Sequence, residues 1–201
     1  MKLYYAPGAC SLSPHIVLTE AGLDFDTEKV DLRSKQTETG RDFRSINPKG
    51  YVPALELDDG QILTEGPAIV QFIADRKPDS SLAPPWGSME RYRLQEWLNF
   101  IATEIHKTFG PLFAPSLAEE RRREVIDRLQ TRFRYAEDFL AERDYLVGNS
   151  FTVADAYLFT MLSWAVHMQL EPAGWPALAR YRNRIAERPA VNATLKDEGL
   201  I

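Results

Sequence analysis

Residues 2–16 of the chain, KLYYAPGACSLSPHI, decide the fold of its first part. The run KLYY is typical of a short strand, Pro7 and Gly8 break it, and apolar residues at helical spacing follow over residues 11–21. Gly22 stands where this helix should end. A cysteine between a strand and a helix start lies where free backbone amides and the positive end of the helix dipole favour an anion. Cys10 is therefore a candidate for a reactive thiol rather than an inert core residue.

Short elements continue beyond this helix. Residues 25–31 alternate as a second strand, and a polar, helix-like stretch follows that is interrupted at Gly40. Asp-Asp-Gly at 58–60 separates two further strands, 52–57 and 61–64, before residues 67–75 return to helical spacing. The predicted order β-α-β-α-β-β-α is that of a thioredoxin-like α/β domain with a mixed sheet. Ser13 stands where a C-x-x-C motif has its second cysteine, so an internal dithiol cycle is excluded.

The second part of the chain is predicted to be helical. Residues 78–85, PDSSLAPP, lack periodicity and indicate a linker. Helical spacing then dominates over residues 90–109, 119–140, 154–168 and 175–188. Thr152 and Asp155 form a predicted capping box ahead of the third and most apolar helix. We therefore expect a thioredoxin-like domain over 1–79, a linker over 80–86 and an all-helical domain over 87–201.

Composition narrows the classes of function. The chain has 24 Lys and Arg against 29 Asp and Glu, a net charge of −5 without a basic block, so nucleic acid is not an expected partner. No apolar run approaches the ~20 residues that span a bilayer, and residues 1–10 do not resemble a secretory signal. One cysteine forms no internal disulfide, and the three histidines show no zinc-binding spacing. We expect a cytoplasmic protein without a metal or a membrane partner.

Two motifs predict a peptide-binding site near Cys10. Pro53 begins a strand at the position where a thioredoxin-like domain has a cis proline, which leaves the backbone of Val52 free to pair with an extended peptide. Pro67 suits the first turn of a helix, with the amide of Gly66 pointing outward to a carboxylate and Glu65 beside it for an ammonium group. This corner fits the α-amino acid end of a γ-glutamyl group, although a plain helix N-terminus would look the same.

Five segments, in this order and spacing, resemble a bacterial beta-class glutathione S-transferase: YYAPGACSLSPHI, NPKGYVPAL, LTEGPAIVQFIAD, EWLNFIATEIHK and FTVADAYLF. Within that class the likeness is greatest to the type found in gene clusters for biphenyl and other aromatic degradation. The resemblance implies the cytosolic glutathione transferase fold, glutathione as co-substrate and a homodimer. It also implies detoxification or dehalogenation of small hydrophobic electrophiles, with the helical domain supplying the electrophile site and the dimer contacts.

The resemblance also implies roles for individual residues. Cys10 matches a cysteine that lies within reach of the glutathione sulfur and can form a mixed disulfide with it. Lys35 matches a lysine on the glycyl side, and Val52 matches the backbone partner of the cysteinyl moiety. Many transferases carry serine at position 66; with Gly66 the amide contact survives and a hydroxyl contact is lost, so we expect weaker or more adaptable binding without loss of function. The implied glutathione-binding set is Ala9, Cys10, Lys35, Tyr51, Val52, Pro53, Glu65, Gly66, Asn99, Thr103, Glu104, His106 and Lys107.

The helix over residues 90–109 carries the second part of this set. At about 100° per residue, Asn99, Thr103 and His106 share one polar stripe, whereas Glu104 lies about 140° from Asn99. The resemblance implies that the stripe faces glutathione and that Glu104 reaches the ligand of the other subunit. Cys10 and His106 are the expected catalytic residues, His106 for conjugation and Cys10 for redox or dehalogenation chemistry. A glutaredoxin-like reductase and a non-catalytic binding protein remain alternatives.

Overall fold

The structure is a computed structural model that describes residues 1–170 and 174–201. It divides into two compact units, one formed by Met1–Ala83 together with Ala186–Ile201 and the other by Pro84–Ile185. This grouping differs from the predicted division into 1–79, 80–86 and 87–201, because the last residues pack with the first unit. The predicted domain limits therefore stay a prediction, and each unit is described by itself.

The first unit contains a mixed sheet. Its strands are β1 (Lys2–Tyr5), β2 (Asp26–Lys29), β3 (Ala54–Glu56) and β4 (Ile62–Thr64). Their order in the sheet is β2-β1-β3-β4, with β1 and β2 parallel and the other neighbours antiparallel, as the hairpin signal predicts. Helix α1 (Leu12–Ala21) follows β1, and helix α2 (Gly66–Arg76) follows β4. Gly22 ends α1 in the left-handed region at φ 61°, which confirms the predicted helix stop.

The helix expected between β2 and β3 is absent from this part of the described chain, so that prediction was wrong. Two isolated bridges, Val30–Thr37 and Gln36–Asp42, and a 3-10 turn at Phe43–Ser45 occupy this stretch. The reason lies in the backbone conformation. The amide of Asp31 donates to the carbonyl of Gln36 at 2.9 Å, and Lys35 between them adopts a positive φ of 62°, outside the α-helical region.

The second unit is helical. Its long helices are α3 (Met89–Phe100), α4 (Glu119–Leu140), α5 (Val153–His167) and α6 (Pro176–Ala186). Helix α3 does not continue regularly to residue 109: a wide π-type turn over Ile101–His106 follows it, then one helical turn at Lys107–Phe109. The change from regular spacing has no signal in the apolar pattern. It affects the positions at which the expected glutathione-binding residues fall.

Helix α5 is the buried centre of the second unit. The predicted capping box is present, with the Thr152 amide donating to Oδ2 of Asp155 at 2.8 Å. Oδ1 of the same carboxylate accepts the Leu146 amide at 2.9 Å and the Tyr181 hydroxyl at 2.8 Å. Burial raises the pKa of Asp155, and these donors oppose the rise. One side chain thus ties the start of α5 to the preceding loop and to α6.

A helix not expected from the sequence, α7 (Pro189–Asp197), packs on α1. The sequence pattern indicates that helices end before Pro189, yet proline is also favoured in the first turn of a new helix. The Arg188 guanidinium holds this helix to α1 through two bonds to the Glu20 carboxylate, at 2.6 and 2.9 Å. This explains why residues 186–201 group with the first unit. Across residues 1–170 and 174–201, no helix is both long and apolar enough to cross a membrane.

Candidate functional site

Cys10 lies in the turn between β1 and α1, as the sequence predicts. Its Sγ donates to the backbone carbonyl of Val52 at 3.1 Å, and the thiol is partly exposed. The Ser11 hydroxyl stabilises the turn, because it accepts a hydrogen bond from the Ala6 N–H at 3.1 Å and donates one to the Ala6 carbonyl at 3.2 Å. Because α1 begins at Leu12, the thiol stands beside the positive end of that helix. A sulfur anion is favoured in such a place.

The loop before β3 brings several predicted residues together. The Val52–Pro53 peptide bond is cis, as expected, and both residues are buried. Next to them Tyr51 is 67% exposed. The ammonium of Lys35 donates to the carbonyl of Gly50 at 3.0 Å and lies 6.0 Å from the centre of the Tyr51 ring. Cys10, Lys35, Tyr51, Val52 and Pro53 are therefore linked through one short loop.

Glu65 and Gly66 form the start of α2. Glu65 adopts a positive φ of 71° as the N-cap residue and exposes its carboxylate. The ammonium of Lys49 lies 2.6 Å from Oε1 of Glu65 and 3.0 Å from the hydroxyl of Thr64. The Glu65 carboxylate is thus paired with the Lys49 ammonium in the structure. Lys49 was not among the predicted site residues, since its spacing from Glu65 gives no signal.

The turn that carries Cys10 is also held from the far end of the chain. The amide of Gly8 donates to Oε2 of Glu198 at 2.8 Å, and Nδ1 of His15 lies 2.8 Å from Oε1 of the same carboxylate. His15 and Glu198 are both buried. His15 therefore has a structural role. Glu198, which stabilises the turn, was missed because the pair is distant in sequence.

Two tyrosines of β1 lie near this turn but have other partners. The Tyr4 hydroxyl donates to Oε2 of Glu56 at 2.6 Å, and burial together with this carboxylate raises the pKa of Tyr4 to about 12. Burial and the charge of Glu198 also raise the pKa of Tyr5. Because the Tyr4 hydroxyl donates to a carboxylate, it is a poor partner for a thiolate.

The helical unit carries the other predicted residues on α3 and the π-type turn. The chain places Asn99, Thr103 and Lys107 at exposed positions, whereas Glu104 and His106 are partly buried. The Thr103 hydroxyl donates to the Asn99 carbonyl at 3.0 Å, and Glu104 accepts from Nε of Arg132 at 2.8 Å. The regular 100° spacing assumed for the polar stripe is wrong across Ile101–His106. The proposed roles of these residues therefore depend on the resemblance and not on a helical wheel.

His106 lies in an aromatic cluster of the helical unit. Its Nδ1 is 2.6 Å from the Tyr157 hydroxyl, and its ring packs edge-on against Trp164 with centroids 5.1 Å apart. Trp164 in turn contacts Phe113, at 4.9 Å between centroids. The sequence pattern places Tyr157 simply in the core, because nothing in the spacing of α5 relates it to position 106. Tyr157 is the partner of His106 that the sequence prediction missed.

Comparisons with known proteins place the chain among its relatives. Residues 8–76 match the family model described as glutathione S-transferase, N-terminal domain, and residues 100–189 match that of the C-terminal domain. Glutathione S-transferase GstA of Escherichia coli O157:H7 is 50% identical over all of both chains. A sphingomonad glutathione S-transferase solved in complex with glutathione is 50% identical over all of both chains, with a TM-score of 0.96. A bacterial beta-class glutathione S-transferase of Sphingomonas chungbukensis is 48% identical over all of both chains, with a TM-score of 0.97.

Proposed function

We infer that the chain, which belongs to the glutathione S-transferase family and is a glutathione S-transferase, activates the thiol of glutathione for attack on hydrophobic electrophiles. The observation that carries this proposal is the 3.1 Å contact of Cys10 Sγ with the Val52 carbonyl, ahead of α1 and beside the cis Val52–Pro53 bond. A peptide paired with the Val52 backbone would bring its own sulfur next to Cys10 and the start of α1. The relative solved with glutathione supports the choice of tripeptide.

The two ends of glutathione have candidate partners among the described residues. Glu65 would bind the γ-glutamyl ammonium and the Gly66 amide its carboxylate, with Lys49 as a neighbouring positive charge. Lys35, held over Tyr51, would face the glycyl carboxylate. The remaining members of the proposed set, carried over from the resemblance, are Ala9, Asn99, Thr103, Glu104, His106 and Lys107. Substitution of each residue, followed by a measurement of glutathione binding, tests its assignment.

Conjugation requires the sulfur to be a thiolate. Donors at the start of α1 and the His106 ring would stabilise the anion and so lower the pKa of the bound thiol. The thiolate then forms a carbon–sulfur bond while the electrophile releases a halide, or it adds to an activated double bond that afterwards takes up a proton. Cys10 is not required for either route.

A second activity is proposed for Cys10, because its thiol is partly exposed beside the proposed sulfur position. The Cys10 thiolate would attack the sulfur of a glutathione adduct, forming a mixed disulfide while the carbon fragment leaves with the bonding electrons and takes up a proton. A second glutathione then releases Cys10 as oxidised glutathione forms. Overall, one organic chloride and two glutathione molecules give the dechlorinated product, oxidised glutathione and HCl. Chlorinated aromatic ring-cleavage metabolites are the proposed substrates, and the resemblance to the biphenyl-pathway type supports them.

A homodimer is proposed through the outer face of α3 and α4. An open groove of about 610 Å³ runs along these helices and exposes Met89 (65%) and Tyr135 (54%). Arg93 and Glu96 in the same groove supply both signs of charge, which suits a self-complementary two-fold contact. A second copy of the chain is therefore the proposed occupant. We expect Tyr135→Asp to shift the mass in light scattering from dimer to monomer; a dimer that persists would point to another face.

The experiment that tests the proposed function is a glutathione-dependent activity screen. Wild type and Cys10→Ala are compared on simple aryl halides and on chlorinated ring-cleavage products, with conjugate and chloride measured together. We expect conjugation by both proteins, and loss of dechlorination and disulfide reduction in Cys10→Ala. Loss of conjugation in Cys10→Ala would contradict the activation account and favour a glutaredoxin-like reductase. Failure of wild type to bind immobilised glutathione would favour the non-catalytic alternative.

Reduced glutathione and a free thiol both suit the cytoplasm, which stays the proposed location.

A further inference from the structure

We propose that Tyr157 is a positioning residue that fixes the tautomer of His106, so that Nε2 carries the imidazole proton. The inference deepens the proposed function, since it specifies how His106 would serve as a donor to the glutathione sulfur. Tyr157 is 3% exposed and belongs to α5, the buried centre of the helical unit. Its hydroxyl lies 2.6 Å from Nδ1 of His106.

The chemistry of the two groups indicates which of them donates. The 2.6 Å separation of the Tyr157 hydroxyl and Nδ1 is that of a hydrogen bond, and its direction depends on the tautomer of the ring. A phenol hydroxyl is a better donor than its oxygen is an acceptor, and an unprotonated imidazole nitrogen is a good acceptor. The Tyr157 O–H therefore donates to Nδ1, and Nδ1 is the unprotonated nitrogen of the ring.

The consequence for the other ring nitrogen follows from the chemistry of imidazole. A neutral imidazole has one donor and one acceptor nitrogen, so an accepting Nδ1 leaves the proton on Nε2. Without a partner at Nδ1 both tautomers are accessible, and only one of them can donate from Nε2. The hydrogen bond from Tyr157 thus favours the tautomer with the proton on Nε2. In this tautomer Nε2 is a hydrogen-bond donor, as stabilisation of a thiolate requires.

The aromatic contacts of His106 fix the ring plane as well. The ring packs edge-on against Trp164 with an interplanar angle of 77° and against the ring of Tyr157 at 88°. These contacts remain when only the Tyr157 hydroxyl is removed. Tyr157→Phe therefore changes the hydrogen bond while it keeps the packing, which makes it the informative substitution.

Nitrogen NMR of the imidazole rings tests the tautomer directly and needs no enzyme activity. The chain has three histidines, so the signals of His106 are assigned by their loss in His106→Phe. In ¹⁵N-labelled wild type near pH 8 we expect the shift of an unprotonated nitrogen at Nδ1 and of a protonated one at Nε2. In Tyr157→Phe we expect the two shifts to move toward a mixture of tautomers. An Nδ1–H pattern in wild type, or an unchanged pattern in Tyr157→Phe, would overturn the proposal.

Kinetics test whether this tautomer matters for the reaction. Loss of one hydrogen bond that acts through His106 should lower kcat for conjugation by about three- to tenfold, with a smaller change in KM for glutathione. The thiol of bound glutathione, followed by ultraviolet absorbance of the thiolate, should ionise at a higher pH in Tyr157→Phe. In the His106→Phe background the Tyr157→Phe substitution should add no further loss of kcat. Unchanged kcat and thiol ionisation in Tyr157→Phe would refute a positioning role.

Tyr181→Phe is the matched control. Tyr181 is also buried in the helical unit, 1% exposed, but its hydroxyl bonds to Asp155 instead of His106. The Tyr181→Phe protein should be less stable than wild type. Its ¹⁵N shifts of His106 and the ionisation of the bound glutathione thiol should be those of wild type. Equal effects of both substitutions on the shifts would mean that loosened packing, not the Tyr157 bond, sets the tautomer, and would overturn the inference. Absence of any glutathione turnover in wild type, with the His106 shifts as expected, would instead reject the proposed function and leave the tautomer assignment standing.

Discussion

The amide of Gly8 donates a 2.8 Å hydrogen bond to Oε2 of Glu198, so that a carboxylate near the end of the chain holds the turn that presents Cys10. The other oxygen of the carboxylate lies 2.8 Å from Nδ1 of His15 on α1. The three groups belong to the first compact unit, and Glu198 and His15 are buried. The turn before Cys10 is therefore fixed by a long-range contact and not only by its own sequence.

Replacing Glu198 by glutamine should destabilise the protein. The amide cannot accept both donors as a carboxylate does, and loss of a buried charge-assisted bond costs about 1.5–3 kcal/mol. We expect the free energy of unfolding, measured in urea, to fall by about this amount. Asp197→Asn, a change at the exposed neighbouring residue, is the control and should stay within about 0.5 kcal/mol. Equal stability of Glu198→Gln and wild type would show that the carboxylate does not hold the turn.

Replacing Gly66 by serine should strengthen glutathione binding. A Cβ added at Gly66 meets no atom within 4 Å, and the residue does not need a positive φ, so serine fits without strain. The added hydroxyl supplies the contact that relatives with serine have, and we expect Kd for glutathione to fall about three- to tenfold by calorimetry. Gly66→Ala separates the hydroxyl from the added methyl group and should not bind more tightly. If both variants gain equally, the hydroxyl contact is not the cause.

Replacing Tyr4 by phenylalanine should lower the stability of the protein and leave its catalytic rate unchanged. Its hydroxyl donates to the Glu56 carboxylate, so the change should cost about 1–3 kcal/mol of unfolding free energy. The raised pKa of about 12 means that the bond is intact below pH 10 and is lost only as the pH rises toward 12. The stability difference should therefore be constant between about pH 6 and about pH 9. A fall of kcat for conjugation of more than about twofold would show that Tyr4 takes part in the reaction.

Oxidised glutathione should modify Cys10 alone. The thiol is partly exposed and the chain has no other cysteine, so intact-mass spectrometry should find one glutathione per chain that a reducing agent removes. Cys10→Ser should remain unmodified. The partial exposure of the thiol predicts that the reaction takes place in the folded protein. Modification that occurs only after unfolding would contradict an accessible thiol beside the Val52 backbone.

Local signals predicted much of the fold and of the backbone geometry around Cys10. The turn after β1, the cis Val52–Pro53 bond and the capping box at Thr152 all depend on neighbouring residues, and all are present. The predictions that failed depend on backbone conformation or on distance. Lys35, at a φ of 62°, turns the chain where a helix is expected, and a π-type turn replaces regular helix at Ile101–His106. Partners such as Glu198 for Gly8 and Tyr157 for His106 are 190 and 51 residues apart, and no local pattern reports them.

Titration of the glutathione thiol on the Cys10→Ala protein tests the central claim most directly. Because this variant has no thiol of its own, any thiolate absorbance above that of free glutathione belongs to the bound ligand. The proposed activation predicts that the bound thiol ionises at a pH at least about one unit below that of free glutathione. Ionisation of the bound thiol at the same pH as free glutathione would contradict the account.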